Sequence, residues 1–181
     1  IDENSQYHST KEFATQNLYN EETIQVDYKG NDVTVENFLR LLTNRHDPST
    51  SRHKRLLSTS TSNIFIYLSG HGGDQFLKFR DEEILTAHDF SLAINELYIQ
   101  KRTANTFIIG ETCQASTLVE TIQTPSVITM ASSKKDENSY SYGHDYNHGF
   151  PLIDRFTLQF QDIYYLTNKF QLSSQHIFQP L

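Results

Sequence analysis

Short apolar runs separated by polar and glycine-containing stretches dominate the middle of the chain. Residues 1 to 22 are polar and irregular, which predicts a surface loop. Ile24–Tyr28 alternates like a short strand and leaves through Lys29-Gly-Asn-Asp32. Val35, Phe38, Leu39 and Leu42 then recur at helical spacing behind Thr34, a natural N-cap. His46–Ser62 is a polar loop whose Arg52-His-Lys-Arg55 cluster reads as solvated. Ile64–Leu68 and Thr106–Ile109 are continuous β-branched and aromatic runs, the pattern of buried parallel strands. Pro125–Met130 is a third such run, and Phe76–Phe79 predicts a hairpin arm. Thr86–Gln100 is an amphipathic helix with Phe90, Ile94, Leu97 and Tyr98 on its apolar side. Ser116–Ile122 predicts a short helix, Lys134–His148 a polar loop, and Leu152–Tyr165 a further helix. Strands alternating with helices predict an α/β fold with a mostly parallel sheet.

In open sheets of this kind ligands bind beyond the carboxyl ends of the strands. Two of the apolar runs stop at groups capable of chemistry. The first continues into Ser69-Gly-His71-Gly-Gly, the second into Gly110-Glu-Thr-Cys113-Gln-Ala. If the strands are neighbours, a thiol and an imidazole reach the same crevice, which is what a cysteine nucleophile and its base require. Cys113 has a plainer reading as a small buried hydrophobe, and His71 as a turn residue. Two features favour the chemical reading. Cys113 lies past its apolar run, and glycines around His71 suit a close backbone approach. In this arrangement Cys113 attacks a carbonyl carbon, and amides next to Gly72 and Cys113 hold the developing oxyanion.

Composition narrows the classes. The 181 residues suit one domain, and 22 acidic against 15 basic residues give a net charge of −7, which argues against nucleic acid as a partner. A single cysteine excludes an intrachain disulfide and a multi-thiolate zinc site. The eight histidines fit no ligand spacing; His144 and His148 stand in a loop, so no metal site is assigned. No apolar run has the length of a transmembrane helix.

The motifs themselves resemble a known family. Gly70-His-Gly-Gly73 after one apolar strand and Glu111-Thr-Cys-Gln-Ala115 after another are similar to the legumain-like cysteine peptidases of the caspase-hemoglobinase fold. Within them the closer likeness is to the catalytic subunits of glycosylphosphatidylinositol (GPI) transamidases. It is carried by Val33-Thr-Val-Glu-Asn-Phe-Leu-Arg40, Lys54-Arg-Leu-Leu57 and Ser69 to Phe79, then Asn138-Ser-Tyr-Ser-Tyr142 and Ile153-Asp-Arg-Phe-Thr157. These stand in order over residues 24 to 160.

The resemblance implies a caspase-like three-layer αβα sandwich, with residues 1 to 181 forming one catalytic domain that lacks the family's first core strand. It implies Cys113 as nucleophile, His71 as base, Gly72 in the oxyanion hole, and Gln114, Ser132 and Ser133 lining the substrate pocket. By the same resemblance the substrate is a proprotein with a C-terminal GPI signal and the acceptor a GPI lipid. The partners are the other membrane subunits of a complex on the lumenal face of the endoplasmic reticulum. The alternatives are an asparaginyl endopeptidase of the legumain type and a non-catalytic interaction module of the same fold. No cofactor is needed for the chemistry. The resemblance leaves room for a structural calcium ion with Asp27 as a candidate ligand, which the residues do not specify. Glu111 stands where the family carries aspartate, a change expected to be tolerated at a rim. The family's upstream Asn and Cys and its C-terminal membrane helix have no counterpart in these residues.

Overall fold

The computed structural model describes residues 24–145 and 149–169, together with a short antiparallel pair formed by β1 (Tyr7–His8) and β2 (Thr15–Gln16). The rest of the expected N-terminal loop lies outside the described residues. Helix α1 (Val35–Thr43) leads to strand β3 (Asn63–Ser69), and a small antiparallel sheet follows, made of β4 (Gly72–Gly73), β5 (Phe76–Phe79) and β6 (Glu83–Thr86). Next come α2 (Ala87–Ile99), β7 (Asn105–Glu111), α3 (Ala115–Val119) and β8 (Val127–Ala131). The hairpin β9 (Ser141–Asp145) and β10 (Phe150–Asp154) runs into α4 (Arg155–Lys169). The chain divides into two compact units, Ile1–Asn138 and Ser139–Leu181.

In the first unit β3, β7 and β8 form a parallel sheet in the order β3-β7-β8. Its register aligns Ile64 with Thr106 and Val127, and Leu68 with Gly110 and Ala131. Because side chains alternate across a strand, Ile66, Leu68 and Ile108 enter the core with Leu42, Phe90, Ile94 and Leu118. Complete burial of each such side chain stabilises the fold by about 1.5–3 kcal/mol. The intervening positions Phe65, Tyr67, Ile128 and Met130 remain exposed.

Local chemistry fixes the helix ends. The Thr34 hydroxyl accepts from the Asn37 N–H at 3.0 Å, and Thr86 caps α2 by accepting from the Asp89 N–H at 3.1 Å. At the far end of α1, Asn44 adopts the left-handed conformation (φ 57°). There the buried Arg102 guanidinium donates to the carbonyls of Leu42 at 2.6 Å and Leu56 at 2.7 Å. It joins the helix end to the polar loop. That loop is solvated, with Arg52 and His53 exposed and no residue of 46–62 buried, yet it is tied down locally. Lys54 pairs with Asp32 at 2.7 Å and lies over the Tyr28 ring, and Arg55 donates to the Thr50 carbonyl at 3.0 Å.

Three expectations are corrected. Ile24–Tyr28 forms no strand, for among the described residues it meets no partner strand; Tyr28 instead donates its hydroxyl to the Lys54 carbonyl at 2.6 Å. The helix expected from Leu152 begins at Arg155, because Leu152–Asp154 belong to β10 and pair with β9. For the same reason Ser141–Asp145 is strand where a loop was expected. Among the described residues no helix is long and apolar enough to cross a membrane.

Candidate active site

Strands β3 and β7 run parallel and in register, and their last pair is Ser69 with Glu111. The Gly70 N–H still donates to the Glu111 carbonyl at 3.3 Å before the two chains part. His71 follows Gly70 by one residue, and Cys113 follows Glu111 by two. The two candidate groups therefore leave the same edge of the sheet, beyond adjacent carboxyl ends. His71 is exposed, and its carbonyl accepts from the Lys78 N–H at 2.8 Å, which ties it to the small antiparallel sheet. Cys113 is half-buried with a free thiol, so it is not a core hydrophobe.

A close contact between the two loops requires glycine at position 72. A Cβ there would lie 2.3 Å from the Thr112 hydroxyl oxygen and 2.7 Å from the Phe76 carbonyl oxygen. Neither distance is sterically tolerable, so only a bare backbone packs so tightly against Thr112. The contact joins the residue after His71 to the residue before Cys113.

The turn that carries Cys113 is held from β8 and the loop behind it. The Thr112 N–H donates to the Ser132 hydroxyl at 3.3 Å, and the Thr112 carbonyl accepts from the Ser133 hydroxyl at 2.7 Å. The same Ser133 oxygen accepts from the Ala115 N–H at 3.1 Å, and its carbonyl takes the Ser116 N–H at 2.9 Å. Gln114 sits in the left-handed region (φ 54°) and gives its N–H to the Glu137 carbonyl at 2.8 Å. Its side-chain oxygen accepts from the Asp136 N–H at 3.2 Å. Among the described residues the Cys113 N–H alone in the run 112–116 meets no such partner.

The sequence-predicted site residues thus gather at one place: His71 and Gly72 on one loop, Cys113 and Gln114 on the other, Ser132 and Ser133 beneath the second. The two serine hydroxyls are engaged with backbone. Glu111 is buried and not at a rim, since it still belongs to β7. Sequence reasoning missed Thr112 as the counterpart of Gly72, and missed the Lys134–Glu137 turn. In that turn the Lys134 N–H donates to the Glu137 carboxylate at 2.8 Å, and the Lys135 ammonium pairs with Asp74 at 3.0 Å. The Asp-Glu pair in a lysine- and asparagine-flanked stretch was its available signal. Asp27 accepts from the Gln25 amide at 2.9 Å. Among the described residues no three His, Cys, Asp or Glu side chains cluster as metal ligands do.

The loops that bear Cys113 and His71 leave neighbouring ends of a parallel sheet, and comparison with protein families gives the class to which the chain belongs. The model of the Peptidase C13 family matches residues 3–179, and the chain belongs to that family. It is 46% identical over 136 residues to the GPI-anchor transamidase of Saccharomyces cerevisiae, an alignment covering 75% of this chain and 33% of that protein. The GPI-anchor transamidase of Schizosaccharomyces pombe is 43% identical over 164 residues, covering 91% of this chain and 42% of that protein. The Homo sapiens GPI-anchor transamidase is 43% identical over 141 residues, covering 78% and 35% respectively. The chain spans less than half the length of these relatives.

Proposed function

We propose that this chain is the catalytic portion of a GPI-anchor transamidase working through a Cys113–His71 pair. The Gly72–Thr112 contact carries the reading, because it brings the loops bearing the thiol and the imidazole together at one sheet edge. Likeness to transamidases of that name over most of the chain supports the choice of reaction. The Cys113 thiolate attacks the carbonyl carbon at the cleavage site of a proprotein. The Gly72 and Cys113 amides receive the charge that develops on oxygen, and the Cys113 N–H is the donor that the turn leaves without a partner. As the C–N bond breaks, His71 delivers a proton to the departing amine and a thioester remains. The amine of the lipid's ethanolamine phosphate then loses a proton to His71, attacks the thioester, and expels the thiolate.

No cofactor takes part in this sequence. The membrane partners and the lumenal face of the endoplasmic reticulum belong to the same proposal. Gln114, Ser132 and Ser133 would border the pocket for the residue before the cleaved bond.

The test is surface display of a GPI-anchored reporter in cells lacking the endogenous subunit, supplied with the full-length protein. Cys113→Ala and Cys113→Ser should both reduce display to background while partner subunits still co-purify, since serine is a far weaker nucleophile than a thiolate. His71→Ala should cost about 10²–10⁴-fold in rate. The double variant should be no worse than Cys113→Ala, because both groups serve one step. Normal display with Cys113→Ala would overturn the proposal. Hydroxylamine added with a signal peptide separates transfer from hydrolysis. A hydroxamate product supports the transamidase, and free acid alone supports an endopeptidase.

A further inference from the structure

Thr117 lies in the middle of α3, fully buried, and takes no part in the chemistry described above. Its hydroxyl nevertheless touches both loops of the site. It accepts from the Gln75 N–H at 2.7 Å, at the turn between β4 and β5, four residues beyond His71. It also faces the Gln114 carbonyl at 2.8 Å and the Gly73 carbonyl at 3.3 Å. A hydroxyl has one proton and two acceptor lone pairs. Its proton is shared between the carbonyl of Gln114, next to Cys113 in the chain, and that of Gly73, two residues past His71, and the Gln75 amide fills a lone pair. One buried oxygen thus joins the hairpin that bears His71 to the turn that bears Cys113. No covalent neighbour could do this, since Gln75 and Gly73 lie 42 and 44 positions away in sequence.

We infer that Thr117 is a positioning residue, whose hydroxyl sets the placement of His71 relative to Cys113. The inference rests on the Cys113–His71 reading and adds the element that fixes the pair's geometry. The Gly72–Thr112 contact limits how near the two loops come. A contact of that kind resists compression but does not fix sliding of one loop along the other. Hydrogen bonds from one oxygen to both loops are directional and restrain that motion.

The experiment uses the full-length protein and a probe that needs no transamidase substrate. The rate of Cys113 alkylation by iodoacetamide is followed by mass spectrometry of the Cys113 peptide, the sulfur displacing iodide. Thr117→Val keeps the shape and removes the hydroxyl. Thr117→Ala removes it without crowding, and Thr117→Ser keeps it. Each is made in the wild-type and the His71→Ala background. Thr117→Val and Thr117→Ala should slow alkylation about 10- to 100-fold in the wild-type background, the scale of a 1 Å misplacement. In the His71→Ala background they should change it less than about twofold, since a pair already broken cannot be misaligned. Thr117→Ser should stay within about threefold of wild type. Equal slowing in both backgrounds, or none in either, overturns the inference. So does loss of folding in both Val and Ala variants, which would make the hydroxyl a requirement of the fold. If Cys113 alkylation is indifferent to His71→Ala itself, the Cys113–His71 pairing fails, and that result is distinguishable from failure of Thr117.

Discussion

At the scale of single residues the site depends on positions that carry no reactive group. Gly72→Ala places a methyl where the Thr112 hydroxyl and the Phe76 carbonyl already stand, at 2.3 and 2.7 Å. Phe76 contributes backbone there, so the loop itself must move. The expected outcome is a loss of about 1–3 kcal/mol in thermal unfolding, typical of overpacking, with at least a hundredfold loss of turnover. Ser133→Ala separates two uses of that serine. Removing its hydroxyl strands the Ala115 N–H and leaves the Thr112 carbonyl with only the longer bond from the Ser132 hydroxyl, 3.3 Å, at a cost of about 1–3 kcal/mol. If Ser133 mainly holds the nucleophile turn, kcat falls and KM for the peptide stays within a factor of about two. A rise in KM with kcat preserved would return Ser133 to the pocket wall. The placement of His71 and Cys113 past adjacent strand ends was legible in sequence because glycine and the ends of apolar runs mark them. The serine clamp was not, since it exists only once β8 lies beside β7 and puts residues 132 and 133 against 112 and 115.

Among the elements, α1 ends against a buried cation, Arg102. Three carbonyls, of Leu41, Leu42 and Leu56, face one guanidinium at 3.4, 2.6 and 2.7 Å. Burial pushes the Arg102 pKa down, yet a guanidinium keeps its proton at any physiological pH. Its positive charge therefore stays at the negative end of the helix dipole. Arg102→Lys retains the charge but not the planar fork that serves several acceptors. Denaturant unfolding should register a loss of about 1–3 kcal/mol, the cost of leaving buried acceptors unpaired. An unchanged midpoint would mean that the fork is dispensable. Strands β3, β7 and β8 were readable from their β-branched runs. β10 was not, because Leu152 and Phe156 continue a helical spacing into α4, and nothing local reveals the pairing with β9. The alternation at Ile24–Tyr28 misled for the converse reason, since alternation makes a strand only where a neighbouring strand can accept its hydrogen bonds.

For the molecule as a whole, stability should respond to pH through His46. Burial first, then the guanidinium groups of Arg55, Arg102 and Arg40, hold its pKa below the ordinary 6.5. Its buried Nε2 has no hydrogen-bond partner among the described residues. Above about pH 7 His46 is neutral in both folded and unfolded chains and contributes no pH dependence. As pH falls through 6.5 the unfolded chain binds this proton before the folded one does. Stability therefore declines from that point until pH passes below the depressed folded value. His46→Gln should flatten this part of the stability profile, measured by thermal unfolding between about pH 5 and 8. An identical slope in the variant would assign the dependence elsewhere.

The parallel pairing of β3 with β7 also orders events in time. Asn63 and Asn105, opposite each other in the register, are 42 positions apart, and the whole His71 hairpin and α2 lie between them. Contacts of such long range form late in folding, because loop-closure entropy opposes them before burial compensates. The residues that clamp the Cys113 turn, 132 to 137, come later still along the chain. During synthesis the imidazole emerges first, the thiol second and the residues that clamp its turn third, so the proposed Cys113–His71 arrangement cannot be complete before residue 137 has been made. A nascent or misfolded copy carries the same cysteine without the neighbours that direct it.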